Sequence, residues 1–149
     1  MREESGRSMI EMLGVLALAA IAAVGAFKIY DYARLKQTRI GAEYELSQMM
    51  TRTNELYLGA NSFEGISLEY LVDAGVIKST RAPITCDNFL ARAVEGRAGP
   101  SGGFALVFEG VSNSDCEYWT GRNIDWAVVV ANGDGTCRDK GNEISFISN

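Results

Sequence analysis

The chain contains no histidine, and this absence narrows the chemistry that is open to it. Histidine is the usual general base near neutral pH and the commonest metal ligand, so both an enzyme and a metal centre are disfavoured. The three cysteines form no CxxC pair, which also disfavours a zinc site. We therefore expect no enzymatic activity, no metal and no cofactor.

Basic residues are scarce in the C-terminal two thirds of the chain. From Tyr44 onward, eight Lys or Arg stand against fourteen Asp or Glu, and the whole chain has a formal charge of -5. Nonspecific nucleic-acid binding depends on a basic surface, so no nucleic-acid partner is expected.

A basic band, residues 28–43, is the exception to this acidic character. Such a band suits anionic lipid headgroups or an acidic partner, although a solvated helix face would have the same composition. The band contains Lys28, Arg34, Lys36 and Arg39 against Asp31 and Glu43.

No proline occurs before Pro83, so no residue of that kind interrupts a helix in the first half of the chain. Ser8 to Phe27 is a stretch of twenty residues in which Glu11 is the only charge. A helix of that length covers roughly 30 Å, the thickness of the hydrocarbon core of a bilayer. The stretch therefore predicts a membrane-spanning helix. A cleaved secretory signal and a buried core helix are the two alternatives.

Apolar residues continue beyond this stretch at spacings of three and four. The pattern predicts one helix from about Ser8 to Leu58, roughly 75 Å long. Its second half is expected to bury one stripe against a globular head. The predicted stripe comprises Ile29, Tyr30, Ala33, Leu35, Ile40, Tyr44, Leu46, Met49, Met50 and Leu56.

After Gly59, glycine becomes frequent and strand-like runs begin. A short helix is predicted between Ser67, which can cap it, and Gly75, which can end it in the left-handed conformation. The fold class expected is α+β, with a long N-terminal helix packed on a small antiparallel sheet. The other predicted elements are strands at 104–109, 126–131 (a central strand) and 144–148, a short helix at 115–119, and a turn at 132–135.

Glu11 lies at the front edge of the apolar stretch, where a carboxylate costs a few kcal/mol on membrane-insertion scales. If the chain were cut after Gly6, Arg7 would carry a new amino terminus one helical turn before Glu11. That ammonium group could pair with the carboxylate of its own helix or of a neighbouring one. A negative charge in the first turn is also favoured by the helix dipole.

The stretch Gly6-Arg7-Ser8-Met9-Ile10-Glu11-Met12-Leu13 resembles the N-terminus of type IV pilins and of type II secretion pseudopilins. The order of predicted head elements is similar to the heads of type IVb pilins. The resemblance implies that residues 1–6 are a leader, which a prepilin peptidase removes before it methylates the amine of Arg7. Residues 7–58 would form the long helix, with 8–27 as transmembrane segment and filament core, and residues 59–149 would form the head.

The resemblance also implies a function. The chain would be a structural subunit that polymerises through its helix into a type IV pilus-like surface filament, with Glu11 neutralising the amine of a neighbour. Its partners would be copies of itself, the peptidase, an inner-membrane assembly platform and the lipid bilayer.

The location implied is the bacterial inner membrane before assembly and an extracellular filament afterwards. The head would lie outside the cytoplasm, although the positive-inside tendency alone would place the basic band inside. A minor pilin, a secretion pseudopilin and a membrane-tethered extracytoplasmic binding module are the alternatives.

The odd number of cysteines leaves at least one unpaired within the chain. Outside the cytoplasm a disulfide is the expected use, and the resembled family closes its C-terminal region with a similar bridge. We therefore predict a bond between Cys116 and Cys137, with Cys86 bonded to either of them as the alternative.

The turn at 132–135 invites a calcium site, because Asp139 and Glu143 follow it. However, Val130 occupies the place of the first ligand in the twelve-residue calcium loop. A plain hairpin turn is the preferred interpretation.

Overall fold

The computed structural model describes residues 9–60, 62–78, 80–94 and 102–148. A long helix is followed by a short helix, two strands, another short helix and two further strands. This arrangement confirms the predicted α+β class. The elements are α1 (Met9–Leu56), α2 (Leu68–Asp73), β1 (Asn88–Val94), β2 (Gly103–Val111), α3 (Asn113–Thr120), β3 (Ala127–Ala131) and β4 (Asn142–Ser148).

Helix α1 runs without interruption for 48 residues, close to the predicted extent. Alanine and leucine, which favour helix, fill much of its first half, and no proline breaks it. The chain forms two compact units, with the division between Ile40 and Gly41. The head unit therefore includes the last part of α1 in addition to the predicted residues 59–149.

Within the head unit, α1 buries a narrow stripe whose members repeat at spacings of four and three. Leu46, Met49 and Met50 were predicted members and are buried, whereas Tyr44 is 68% exposed and Leu56 is also exposed. The stripe also includes Ala42 and Thr53, which the predicted pattern of apolar residues did not contain. Thr53 can be buried because its hydroxyl donates to the Met49 carbonyl at 2.7 Å.

The four strands form one antiparallel sheet in the order β1-β2-β4-β3. The prediction that 126–131 forms a central strand is therefore wrong, because β3 lies at an edge. A different arrangement explains why this edge strand is apolar. Ala127 and Ala131 lie in the core, while Val128 pairs with Ile147 on the opposite face. Strand β1, the other edge strand, was not predicted.

One face of the sheet carries the aromatic core of the head. Phe104, Leu106 and Phe108 of β2 share this face, as predicted, and all three are fully buried. The ring of Phe146 on β4 meets Phe108 edge-on at 5.7 Å and Trp119 of α3 at 5.4 Å. Each such aromatic pair adds about 0.5–1.5 kcal/mol beyond its buried area. These contacts hold α3 against the centre of the sheet.

The predicted ends of α2 are confirmed. The Ser67 hydroxyl accepts a hydrogen bond from the backbone N–H of Tyr70 at 3.2 Å, so Ser67 is the N-cap. Gly75, just after the C-cap, has a φ of 73°, a conformation that glycine adopts without a steric cost.

The turn at 132–135 forms, but it does not make a plain hairpin. The Gly135 N–H donates to the Ala131 carbonyl at 2.7 Å, and Asn132 and Gly133 both have positive φ. Strand β4 begins only at Asn142, so residues 132–141 form a longer loop between β3 and β4. The expectation of a simple hairpin was therefore wrong.

Asn142 fastens this loop to the rest of the head. Its carbonyl oxygen accepts from the Arg138 N–H at 2.6 Å and from the Asn132 side chain at 2.9 Å. Its amide donates to the carbonyls of Arg138 at 2.7 Å and of Val111 at 3.3 Å. Val111 belongs to β2, so one fully buried side chain joins the loop to two strands.

Candidate assembly surface

The first part of α1, residues 9–27, exposes every one of its side chains. The helix is long and apolar enough to cross a membrane, by length and composition, and none of its most apolar eighteen-residue window is buried. A core helix of a soluble protein would be mostly buried, which speaks against that alternative. The exposed apolar surface needs lipid or protein to cover it.

Glu11 lies in the first turn of α1 with its side chain exposed. Its neighbours on the helix are apolar, so the carboxylate is the one charge on residues 9–27. The helix dipole stabilises it there by about 0.3–1 kcal/mol. Gly6 and Arg7, the predicted cleavage and methylation site, lie outside the described residues. The pairing of Glu11 with the terminal amine therefore stays a prediction.

The head contains the predicted disulfide between Cys116 and Cys137. It joins α3 to the β3–β4 loop, so it supplements the fastening by Asn142. Cys86 is free and half-buried. Burial, and secondarily the neighbouring Asp87 carboxylate, raise the pKa of the Cys86 thiol, which keeps it in the less reactive thiol form at neutral pH.

Alkylation with iodoacetamide should therefore modify Cys86 alone and slowly. Without reductant we expect one carbamidomethyl group per chain by intact mass, and a rate at pH 7.5 below that of glutathione. The rate should still be rising as pH passes 9.0, the ordinary value for a cysteine. Complete labelling within seconds at neutral pH, or a second modified cysteine, would contradict this assignment.

The β3–β4 loop uses its first carboxylate internally. Asp134 accepts hydrogen bonds from the backbone N–H of Thr136 at 2.9 Å and from its hydroxyl at 2.7 Å. These bonds lower the pKa of Asp134. Among the described residues, no group of three or more acidic or cysteine side chains is arranged to hold a metal ion.

The face of the sheet opposite the core contains a groove of about 520 Å³. Its floor includes Ala105, Ser145 and Ile147, and its charged lining residues are Arg92 and Glu143. These two side chains pair with each other at 3.5 Å. The Glu143 carboxylate also accepts a hydrogen bond from the Ser145 hydroxyl at 3.3 Å, so both Arg92 and Ser145 contact it.

An ion pair inside the head unit joins Arg122, which comes two residues after the end of α3, to Glu43 of α1. Arg122 follows α3 and lies 3.0 Å from the Glu43 carboxylate, and it also donates to the Tyr118 hydroxyl at 2.8 Å. Sequence reasoning placed Glu43 among the charges of the basic band and missed its role as a partner of the head. The two residues are 79 positions apart, so no local signal could have revealed the pair.

Comparisons with protein-family models, with curated proteins and with solved structures found no match to this chain. Its own residues therefore supply the grounds for a function. They present an unburied apolar helix with one acid at its start and, in the described residues, a head in which every buried polar side-chain atom has a hydrogen-bond partner. The exposed apolar helix favours association with lipid or with protein.

Proposed function

We propose that this chain is a pilin-like structural subunit that polymerises through α1 into a surface filament of the type IV pilus kind. One observation supports the proposal above all others. Residues 9–27 expose a continuous apolar surface whose single charge, Glu11, lies five residues after Gly6. An anchor that only needed lipid contact would have no use for that carboxylate.

The apolar surface has a different partner at each stage. Before assembly the bilayer covers it, because apolar side chains left in water cost about 25 cal/mol per Å². After extraction into a filament, only neighbouring copies of the same helix can provide equivalent cover. The bilayer, an assembly platform in the inner membrane and other copies of the chain are therefore its proposed partners.

Cleavage after Gly6 supplies the partner for Glu11. A prepilin peptidase would release residues 1–6, leaving Arg7 with a free and then methylated amine. The new cation would lie one helical turn from Glu11, within its own helix or on an adjoining one. In a low-dielectric surrounding such a pair can contribute several-fold more than at a water surface.

The head supports the same location. A disulfide persists in oxidising compartments, and the Cys116–Cys137 bond fits a head that faces the outside of the inner membrane. The head would then form the outer surface of the filament.

The mass of the mature protein tests this proposal. We expect intact-mass and N-terminal peptide analysis of the membrane and fibre fractions to show Arg7 as the first residue, with a methylated amine. A Gly6→Val variant should remain uncut, because a β-branched side chain takes the place of glycine at the cleaved bond. A membrane-inserted wild-type chain that keeps Met1 would refute the proposed processing.

Replacement of residues 12–27 by an unrelated apolar helix separates a filament core from a tether. A tether needs only length and hydropathy, so the head would stay on the membrane and keep any binding activity. A filament core needs shape complementarity between helices, so fibres should disappear although the chain still inserts. Electron microscopy of sheared fibres and membrane fractionation measure the two outcomes.

A further inference from the structure

Helix α1 carries a regular seam that continues upstream of its buried stripe. The buried positions 42, 46, 49 and 53 repeat at spacings of four and three. Positions 28, 32, 35 and 39 extend the same alternation, which keeps residues on one helical face with a drift of only about 20° per heptad. We call Lys28, Tyr32, Leu35 and Arg39 the upper seam.

The upper seam combines cations with exposed apolar groups. Tyr32 is 70% exposed and Leu35 is 44% exposed, and Lys36 extends the basic character beside them. Residues 28–39 carry four cations and one acid. A surface with long cationic side chains around an aromatic and an aliphatic group matches an acidic protein surface that also offers apolar contact.

Lipid headgroups can account for only the beginning of this surface. The apolar segment ends at Phe27, so Lys28 lies at the edge of the hydrocarbon core. Lys36 is eight residues further along, roughly 12 Å at the rise of an α-helix. The headgroup layer on each side of a bilayer is about 5–8 Å thick. Leu35 and Lys36 therefore lie beyond the headgroup layer, where a protein surface can contact them.

The head carries a surface of matching chemistry. No Lys or Arg occurs between Arg52 and Lys78, while four acids fall in that interval. Among the described residues, the exposed carboxylates of Glu64, Glu69 and Asp73 have no ion-pair partner. Together with Tyr70 we call them the acidic patch.

Geometry places the members of the acidic patch together. Glu69 and Asp73 are four residues apart on α2 and so share a helical face. Tyr70 is 48% exposed, and its ring lies 6.3 Å from that of Tyr57. The Tyr57 ring also lies 4.8 Å from the ring of Phe63, next to Glu64, at a tilt of 32°. The patch thus lies along one aromatic cluster, and Tyr70 offers apolar contact beside the two carboxylates of α2.

We propose that the upper seam of one copy docks on the acidic patch of a second copy. The inference rests on the proposed filament and specifies which surface of the head contacts a neighbouring helix. A second copy is the partner that fits both the charge and the apolar content of the patch. Residues 28–39 are cationic and include the apolar groups of Tyr32 and Leu35, whereas the patch is anionic and includes Tyr70. Two copies of the chain therefore provide both halves of the contact.

Charge reversal in the full-length chain tests this docking. Lys28→Glu with Lys36→Glu, and separately Glu69→Lys with Asp73→Lys, should each reduce sheared fibre mass by about tenfold, because each replaces attraction between two charge pairs by repulsion. The chain that carries all four changes restores opposite charges and should recover most of the fibres. Arg138→Glu with Lys140→Glu, a reversal of the same size elsewhere on the head, should assemble normally.

Each alternative gives a distinct result. Normal fibres from both reversals would overturn the docking while leaving the filament intact. If Lys28→Glu with Lys36→Glu removes the fibres and the added acidic-patch reversal does not restore them, the basic residues contact lipid instead. That result would also overturn the docking. Equal loss in the Arg138 and Lys140 control would show that only total charge matters, against the docking.

Zero-length carbodiimide coupling examines the same contact without requiring fibres. In membranes that contain the wild-type chain, we expect peptides joining Lys28 or Lys36 of one copy to Glu69 or Asp73 of another, identified between isotopically light and heavy copies. Their absence, together with efficient coupling elsewhere, would overturn the docking whether or not filaments form. An absence of fibres alongside these coupled peptides would instead count against the proposed function alone.

Discussion

Changing Glu11 to glutamine should lower incorporation into filaments by about a hundredfold, because truncating one member of a desolvated charge pair costs about 3 kcal/mol. The substitution keeps the size of the side chain and one acceptor oxygen, but it replaces the other oxygen by an NH2 donor and removes the charge that would meet the cleaved amino terminus. Insertion into the bilayer should improve slightly, since a neutral amide is cheaper there than a carboxylate. Loss of fibres with better insertion would separate assembly from anchoring.

Glu45→Gln is the matched control for this experiment. Glu45 is also an exposed acid on α1, but it lies in the head unit, away from the proposed core. It should assemble as the wild type does. Sheared fibre mass and the amount of folded, disulfide-bonded chain in the membrane measure the two effects. Wild-type fibre yield from Glu11→Gln, with normal processing, would remove the role assigned to that carboxylate.

The second large effect is expected at Asn142. Replacement by alanine should lower the free energy of unfolding of the head by about 3 kcal/mol, since an unpaired buried polar group costs about 1–3 kcal/mol. The change removes four hydrogen bonds and leaves the Val111 carbonyl, inside the head, without this partner. The Arg138 groups lie on the exposed loop and can turn to water, which limits the total cost.

Asn123→Ala supplies the control for Asn142. Asn123 is exposed, and surface substitutions of this kind usually change stability by less than about 0.5 kcal/mol. Urea unfolding of the full chain in detergent, followed by tryptophan fluorescence, reports the head because Trp119 and Trp126 both lie in that unit. A loss below about 1 kcal/mol for Asn142→Ala would mean that the loop is held mainly by the disulfide.

Local patterns were sufficient for the helices and for the faces of the inner strands. The start of α2 follows from Ser67, its end from Gly75, and the core face of β2 from the alternation of Phe104, Leu106 and Phe108. In each case the information lies within a few consecutive residues. The fold class followed from these elements without any knowledge of how the strands pair.

Strand order was not predictable in the same way. The run Ala127–Ala131 is apolar on both faces, but such a pattern does not reveal whether both edges are hydrogen-bonded, and Val128 is in fact exposed. In the described part of the chain, its one strand partner is β4, and β4 also pairs with β2. The partner of a strand depends on residues far along the chain, so composition alone cannot choose between centre and edge.

In the candidate site, too, some residues could be predicted from local sequence and others could not. Glu11 could be found because it breaks an apolar run, and the buried half of α1 was found only in part because Ala42 and Thr53 have little or no apolar signal. The pair of Glu43 and Arg122 could not be found, since two charges far apart in sequence carry no mark of their contact. A functional residue could be predicted where the signal lies within one segment of the sequence. A contact that only the folded chain brings together could not.

The order of the cysteines along the chain has a consequence for biogenesis. In the proposed location outside the cytoplasm, export from the N-terminus would present Cys86 and Cys116 to an oxidant before Cys137, so the earliest bond available would be a non-native one. The native bond instead joins the last two thiols and leaves the first one reduced. Maturation of this protein should therefore depend on a thiol–disulfide isomerase, or on oxidation that waits until the whole chain is out.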